Sequence, residues 1–412
     1  MLFHLSGISP FDLNLDGNFD EQVRKILDNV RLSREEVNNL QLLHNDLSAA
    51  LEAKWPGCKI FLFGSIATGL GMVTSDVDCF INVHPYILSA GGARLVMLAR
   101  NILRLQPHIF KEPFAIPKAR VPIVKFNHLP TGRNCDINFT SPSGVSNSEL
   151  IAFFLNCDYL YLTLAVLIKY WSKVHGLTGT NLISSYSLTL LVIYYLQHIK
   201  LLPSVKQLQK HCTANIVANW NNGFNSSYSE ANVCDRSLYH LIGGFFKFYS
   251  TFDFKKYIIS LYMGTVIPRE LFSSLAKVPI EFDTYKFNVH YRICRPIQTQ
   301  TTFCLQDPFD HSSNVMRGVF PNLANTFLDN IQLAATMYDE TNTDNFIKAI
   351  LTKKPTIKIV NELNVNSKQI GAHYIQKAQQ GRIKKRANKH KKKKNSLSVL
   401  YQQITSHIKK FH

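Results

Sequence analysis

Residues 18–54 carry apolar side chains at helical spacing and predict helix: Val23, Ile26, Leu27 and Val30, then Leu40, Leu43, Leu47 and Leu51. From 59 to 140 the period changes. Four short runs rich in β-branched and aromatic residues, KIFLFG, DVDCFINV, VPIVKF and CDINF, predict strands, with a helix over Gly91–Leu105 between the second and third. VPIVKF and CDINF flank the turn signal LPTGRN and predict an antiparallel hairpin. From 149 to about 275 the pattern is apolar and helical again. Residues 280–320 are mixed, with Pro and Asp turn signals, and 323–352 predict a further helix. The chain therefore reads as an α+β protein of two lobes, a small mixed-sheet lobe and a mainly helical one. The expected divisions are 1–41, a helical segment packing on the central lobe; 42–158, the sheet lobe; 159–362, the helical lobe; and 363–412, a polar tail with little to bury, expected to be largely disordered.

Composition agrees with two or more domains at 412 residues and 46% apolar content. Charge changes the picture more. The formal net charge is +18, but 13 of the 46 basic residues and none of the 28 acidic ones follow Glu362. The body is mildly basic and the tail strongly so, with nine basic residues between Arg382 and Lys394. That asymmetry predicts a polyanionic partner, most simply nucleic acid, and the tail reads as a nuclear import signal or an RNA tether. The longest nearly apolar runs, Tyr159–Ile168 and Tyr186–Leu196, fall short of the ~20 residues a membrane span requires, so no membrane partner is expected. The N-terminus has no basic region followed by a long apolar run, which argues against a secretory signal. The eight cysteines form no CxxC pair and are expected as reduced thiols of a nuclear or cytoplasmic protein.

Chemistry concentrates in FLFGSIATGLGMVTSDVDCFINV. Gly64-Ser65 follows a predicted strand. Backbone N–H groups there, with the Ser65 hydroxyl, can hold phosphate oxygens, although most such turns are only turns. Asp76 and Asp78 lie at the edge of the next strand, and a two-residue period puts both carboxylates on one face. Asp136 sits inside the apolar strand CDINF, a costly place for a charge without a partner or a metal. Three such carboxylates on neighbouring strands suit two Mg²⁺ or Mn²⁺ ions.

The pattern Gly64-Ser65, ten intervening residues, Asp76-Val77-Asp78 and a later lone Asp136 resembles the polymerase-beta-type nucleotidyltransferase superfamily. Within it, roughly residues 40–330 are similar to the terminal uridylyltransferases and cytoplasmic poly(A)-polymerase-like enzymes. The resemblance implies that Asp76 and Asp78 ligate both metals. It implies that Asp136 ligates the catalytic one and helps deprotonate an RNA 3′-hydroxyl. It assigns Asn147 and Ser148 to the ribose, and Lys169 and Lys173, one helical turn apart in LAVLIKYWSKVHG, to the triphosphate. Ser185 would take a phosphate and Tyr186 would stack on the base. LIGGFFKFYSTFDF resembles the start of a poly(A)-polymerase-associated segment, about 238–310, with its aromatics expected in the core. CLQDPFDHSSNVMRGV resembles the nucleotide-recognition loop, with Asp307, Asp310 and Asn314 on matching positions. Uridine-selective members carry a His directly before that Asn. Here the position is Ser313, and His311 lies two residues earlier. The SxNV frame leans toward the uridylyl branch.

The implied function is template-independent addition of UMP from UTP to RNA 3′ ends, with ATP as the alternative donor. A catalytically weak RNA-binding pseudoenzyme, or a synthetase of small oligonucleotides, are the competing classes. Target choice would then rest on the lobes, the tail or a targeting protein.

Overall fold

A computed structural model describes residues 9–228, 236–340 and 342–355. Two helices stand where the spacing over 18–54 predicts one. Helix α1 (Phe19–Val30) begins at Asn18, whose side chain accepts from Glu21 N–H while the Glu21 carboxylate accepts from Asn18 N–H. Ser33 and Glu36 repeat this reciprocal cap at the start of α2 (Arg34–Glu52). The two caps force a break at 31–33, and the helices bury their faces in different places. Phe19, Val23, Ile26 and Val30 enter the core of the helical lobe. Leu40, Leu43, Leu47 and Leu51 enter the core under the sheet. The division expected at 41/42 thus falls inside α2, and the chain crosses between cores at 31–33.

The sheet lobe follows in the order β1 (Lys59–Phe63), β2 (Val77–Asn82), a short α3 (Pro85–Leu88), α4 (Gly92–Leu103), β3 (Phe110–Ile116), β4 (Ile123–His128) and β5 (Arg133–Asn138). Its five strands lie in the order β1-β2-β5-β4-β3. Only β2 and β5 run parallel. The β4–β5 hairpin is the expected one. Strand β3 is not among the expected strands, because FKEPFAI carries Lys, Glu and Pro. An edge position tolerates all three, with a register shift between Lys111 and Phe114 and Glu112 at φ 53°.

Helix α5 (Ser143–Asn156) leads to α6 (Tyr159–Val174), α7 (Ser185–His198) and the short α8 (Val205–Gln209). A minimal hairpin, β6 (Ile216–Val217) with β7 (Trp220–Asn221), precedes α9 (Leu238–Ser250). The helical texture expected to reach 275 ends at Ser250. Beyond it β8 (Tyr257–Ser260) and β9 (Thr265–Pro268) form a hairpin. Then come α10 (Asp283–His290), β10 (Leu305–Gln306), α11 (Pro321–Glu340) and α12 (Thr343–Thr352). Strand β10 pairs in parallel with β8 to complete a second, three-stranded sheet. These strands are too short for periodicity to report them.

Helices α1, α5, α6, α7, α9, α11 and α12 share the largest core, with Trp171, Phe245, Phe246 and Tyr249 fully buried in it. A Cβ on Gly243 would meet the Tyr338 ring at 2.1 Å, so the glycine lets α9 and α11 approach. The aromatics of LIGGFFKFYSTF are core, as expected. A smaller core joins Trp220, Phe272, Phe282 and Tyr285 beside the second sheet. The seven described cysteines are unpaired. Among the described residues no single helix is long and apolar enough to cross a membrane. The tail, 363–412, lies outside the described residues.

Candidate active site

A cavity of about 370 Å³ lies between the first sheet and helices α5, α6 and α7. Asp76, Asp78, Gly64, Ser65, Ser148, Lys169, Lys173, Ser185 and Tyr186 all line it. These residues span more than a hundred positions of sequence, and tertiary packing alone brings them around one cavity.

The acidic side is set by strand register. Asp78 on β2 lies directly opposite Asp136 on the parallel β5. Burial first, then the negative charges of Asp136 and Asp76, push the Asp78 carboxyl up to about 7. Burial likewise raises Asp136, against the pull of the Lys125 ammonium, which forms an ion pair with Asp136 Oδ2. Lys125 is a site residue that the motif reading passes over. The signal was present: His128 pairs with Arg133 across the hairpin, and counting back along both strands puts Lys125 opposite Asp136.

Gly64 shows why the turn needs glycine. Its φ is +74°, and a Cβ there would stand 2.5 Å from Asp78 Oδ2. Its N–H donates to Ser148 Oγ at 2.8 Å, and that hydroxyl donates to the Gly144 carbonyl at 2.7 Å. Ser148 therefore pins the turn to α5. Asn147 and Ser148 sit inside this helix, after its start at Ser143.

The cationic side comes from α6. Lys169 is only 4% exposed and donates to the Leu70 carbonyl at 2.7 Å. Burial, with the neighbouring Lys173, brings its ammonium down to about 7. Lys173 donates to Thr74 Oγ1 at 2.9 Å, and burial lowers it as well. The two ammonium groups one turn apart face the carboxylates across the cavity, a setting that a triphosphate with its metal would neutralise on both sides. Ser184 caps α7 by accepting from Ser187 N–H, which leaves Ser185 and Tyr186 to the cavity.

The recognition loop is arranged differently. Asp307 accepts from Tyr186 Oη at 2.8 Å, from Asn147 Nδ2 at 3.3 Å and from the N–H groups of Phe309 and Asp310, both at 3.0 Å. Burial pushes its carboxyl up and these donors pull it back. It fixes the Tyr186 ring and the Asn147 amide. The Oδ1 of Asn147 is buried without a hydrogen-bond partner. Asp310 accepts from Ser312 N–H and Oγ.

Two side chains of this loop are held by the fold. Asn314, expected to read the base, spends its whole amide on the fold. Its Oδ1 accepts from Leu305 N–H and Met316 N–H, and its Nδ2 donates to Gln298 O, Thr301 Oγ1 and Phe303 O. His311, a candidate substitute for the missing imidazole, is 7% exposed and packed among the rings of Trp220, Tyr262 and Phe282. Burial lowers its pKa to about 3, so it is neutral. Ser313 joins the loop through its backbone, accepting from Asp307 N–H and donating to Asp310 O.

The donor set is hard oxygen, crowded and self-repelling, which fits a divalent cation. Among the described residues no three acidic, His or Cys groups already close into a coordination shell. Lys125 supplies Asp136 with the positive charge that an ion would otherwise bring.

Residues 19–156 match the family described as poly(A) RNA polymerase, mitochondrial-like, central palm domain, and residues 237–313 match the Cid1 family poly A polymerase. The two matches together span more than half of the chain. With the relatives below, these matches place residues 19–156 and 237–313 among the poly(A)- and poly(U)-polymerase-like nucleotidyltransferases. Among its relatives, the Drosophila melanogaster poly(A) RNA polymerase gld-2 homolog B is 29% identical over 64% of this chain and 19% of its own length. The Homo sapiens speckle targeted PIP5K1A-regulated poly(A) polymerase is 30% identical over 60% of this chain and 27% of its own. This chain thus spans less than a third of either relative. Poly(A) RNA polymerase cid11 of Schizosaccharomyces pombe is 23% identical over 85% of this chain and 69% of its own length. Among solved structures, mtPAP in complex with UTP superposes with a TM-score of 0.71, at 20% identity, over 85% of this chain and 76% of that one. The Cid1 poly(U) polymerase with MgGTP bound gives 0.67, at 20% identity, over 81% and 98%. Polymerases of this family use divalent metal ions.

Proposed function

We propose that the protein is a template-independent RNA 3′-terminal nucleotidyltransferase. The observation that carries this reading is that Asp76 and Asp78 line one cavity with Lys169 and Lys173, while Asp136 stands opposite Asp78 in strand register. Asp76, Asp78 and Asp136 would hold two Mg²⁺ or Mn²⁺ ions, which lower the pKa of an attacking hydroxyl and offset charge on a leaving pyrophosphate. Lys169 and Lys173 bind the triphosphate. Ser65 holds a phosphate oxygen at the end of β1, on the turn that Gly64 and Ser148 fix. Tyr186, fixed by Asp307, stacks on the base, and Asn147 Oδ1 accepts from the nucleotide. Asp136 takes the proton of the RNA 3′-hydroxyl at its carboxylate.

For the donor nucleotide we favour ATP. The SxNV frame that leans toward UTP owes its Asn314 to loop hydrogen bonds, His311 is caged, and no His is among the described residues lining the cavity. UTP is the competing donor. Purified chain with Mg²⁺ or Mn²⁺, a labelled oligo(A) primer and each nucleotide separately tests both statements. No extension with any nucleotide overturns the function, and faster extension with UTP overturns the choice of ATP. The basic tail we propose as a nuclear import signal, and unchanged nuclear accumulation after deleting 381–412 would refute that.

A further inference from the structure

The outward face of α10 and the turn after it is built for something outside the fold. Its inward side is firmly held. Tyr285 and Asn288 are buried, Asn288 Nδ2 donates to the Asn219 carbonyl at 3.1 Å, and Tyr285 Oη accepts from Ile297 N–H at 3.2 Å. The Asn288 carbonyl accepts from Ile293 N–H at 2.8 Å, which closes the turn through Arg292 at φ 60°. On this rigid base Phe287 is 56% exposed and Tyr291 63%, one turn apart, with ring centroids 4.5 Å from each other. Large rings left in water on an ordered helix mark a contact surface rather than a frayed end.

The charge around them selects the partner. From Lys286 to Arg295 the sequence KFNVHYRICR contains no acidic residue. Arg292 and Arg295 are exposed, and among the described residues neither has a hydrogen-bond or ion-pair partner for its side chain. Two open π faces beside two unpaired guanidinium groups suit a flexible polyanion that carries its own π faces.

We infer that this face of α10 is a stacking platform for single-stranded RNA. Bases lie on Phe287 and Tyr291, phosphates meet Arg292 and Arg295, and the strand is the part of the substrate upstream of the 3′ end being extended. The inference rests on the RNA nucleotidyltransferase reading for the identity of the strand, and on α10 alone for the surface.

The test uses the full chain and a labelled single-stranded oligo(A) much longer than the primer. The double variant Phe287→Ala/Tyr291→Ala should bind it about tenfold more weakly or worse, while extension of a saturating short primer and the melting temperature stay as in wild type. Phe287→Trp/Tyr291→Trp should restore binding. Arg292→Gln/Arg295→Gln should flatten the log–log salt dependence of binding by roughly 1, from about 0.7 for each phosphate left without its arginine. Should the alanine pair fail to fold, the arginine pair decides alone. Unchanged affinity and salt slope overturn the platform. So does a change confined to self-association by light scattering, which would make the face a contact for a second copy. Wild type that extends no primer but loses long-strand affinity on these substitutions sinks the enzyme reading and leaves the platform standing.

Discussion

Two sets of polar groups, the acids of the first sheet and the residues of the recognition loop, have opposite surroundings. Asp78 and Asp136 are brought together by strand register with Asp76 beside them, and burial first, then the neighbouring negative charge, makes Asp78 and Asp136 harder to ionise. Asp307 and Asn314, on the recognition loop, are surrounded by donors and acceptors that use nearly all their capacity. Motif matching treats both sets as ligand contacts. Hydrogen-bond accounting separates them: a group with its valences filled by the fold has none for a nucleotide, whereas a crowded carboxylate set is incomplete without a cation. The acid set is kept costly for a ligand and the loop set is spent on architecture.

The sharpest break between the two sets is in activity. Asp76→Ala, Asp78→Ala or Asp136→Ala should each abolish primer extension while the protein stays folded. Wild-type-like extension by Asp136→Ala would remove it from the acid set.

Next in size is stability at the loop. Asn314→Ala strands three buried and two part-buried partners, and should cost on the order of 3 kcal/mol in denaturant unfolding. A loss of nucleotide affinity with unchanged stability would return Asn314 to the binding groups.

Acidity tests the acid set without any substrate. Asp78 has a folded value near 7 against an ordinary 3.8, so between those values the folded protein holds a proton that the unfolded chain releases. In metal-free buffer its contribution to stability is therefore full below about pH 4 and is lost as pH rises through 7. Asp78→Asn escapes this loss and should exceed wild type by on the order of 2–4 kcal/mol at pH 8, with the gap closing toward pH 4. Adding Mg²⁺ or Mn²⁺ should raise the melting temperature of wild type more than that of the variant. A gap that does not vary with pH would mean that neither burial nor the acidic neighbours raise Asp78.

The smallest expected effect concerns base choice. Ser313 contributes only backbone bonds to the loop, so Ser313→His should leave stability nearly unchanged and raise the UTP-to-ATP incorporation ratio roughly tenfold, the worth of one base-edge contact. An unchanged ratio would place selection outside the loop.

Much of this molecule is legible from sequence because its signals are local. The spacing in KIFLFG, DVDCFINV and CDINF predicts β1, β2 and β5, and those strands carry the carboxylates. The i,i+4 interval of Lys169 and Lys173 survives unchanged in α6. The two capping boxes at Asn18 and Ser33 were also written in the chain, and they outrank the continuous apolar spacing that suggests one helix. Strands β8, β9 and β10 were not legible, because two to four residues carry too little period to separate from their flanks.

The reactive groups and the elements that carry them follow from the amino-acid order, since residue type and local periodicity depend on near neighbours along the chain. Which groups remain available follows from packing. Asp136 opposite Asp78 is a matter of register between strands about sixty residues apart, and the Lys125 pair follows from it. Asn314 gave up its amide to carbonyls up to sixteen residues away, and His311 is shut in by three rings from distant segments. A side chain's spare hydrogen-bonding capacity depends on what packs around it, and that neighbourhood exists only once the chain has folded.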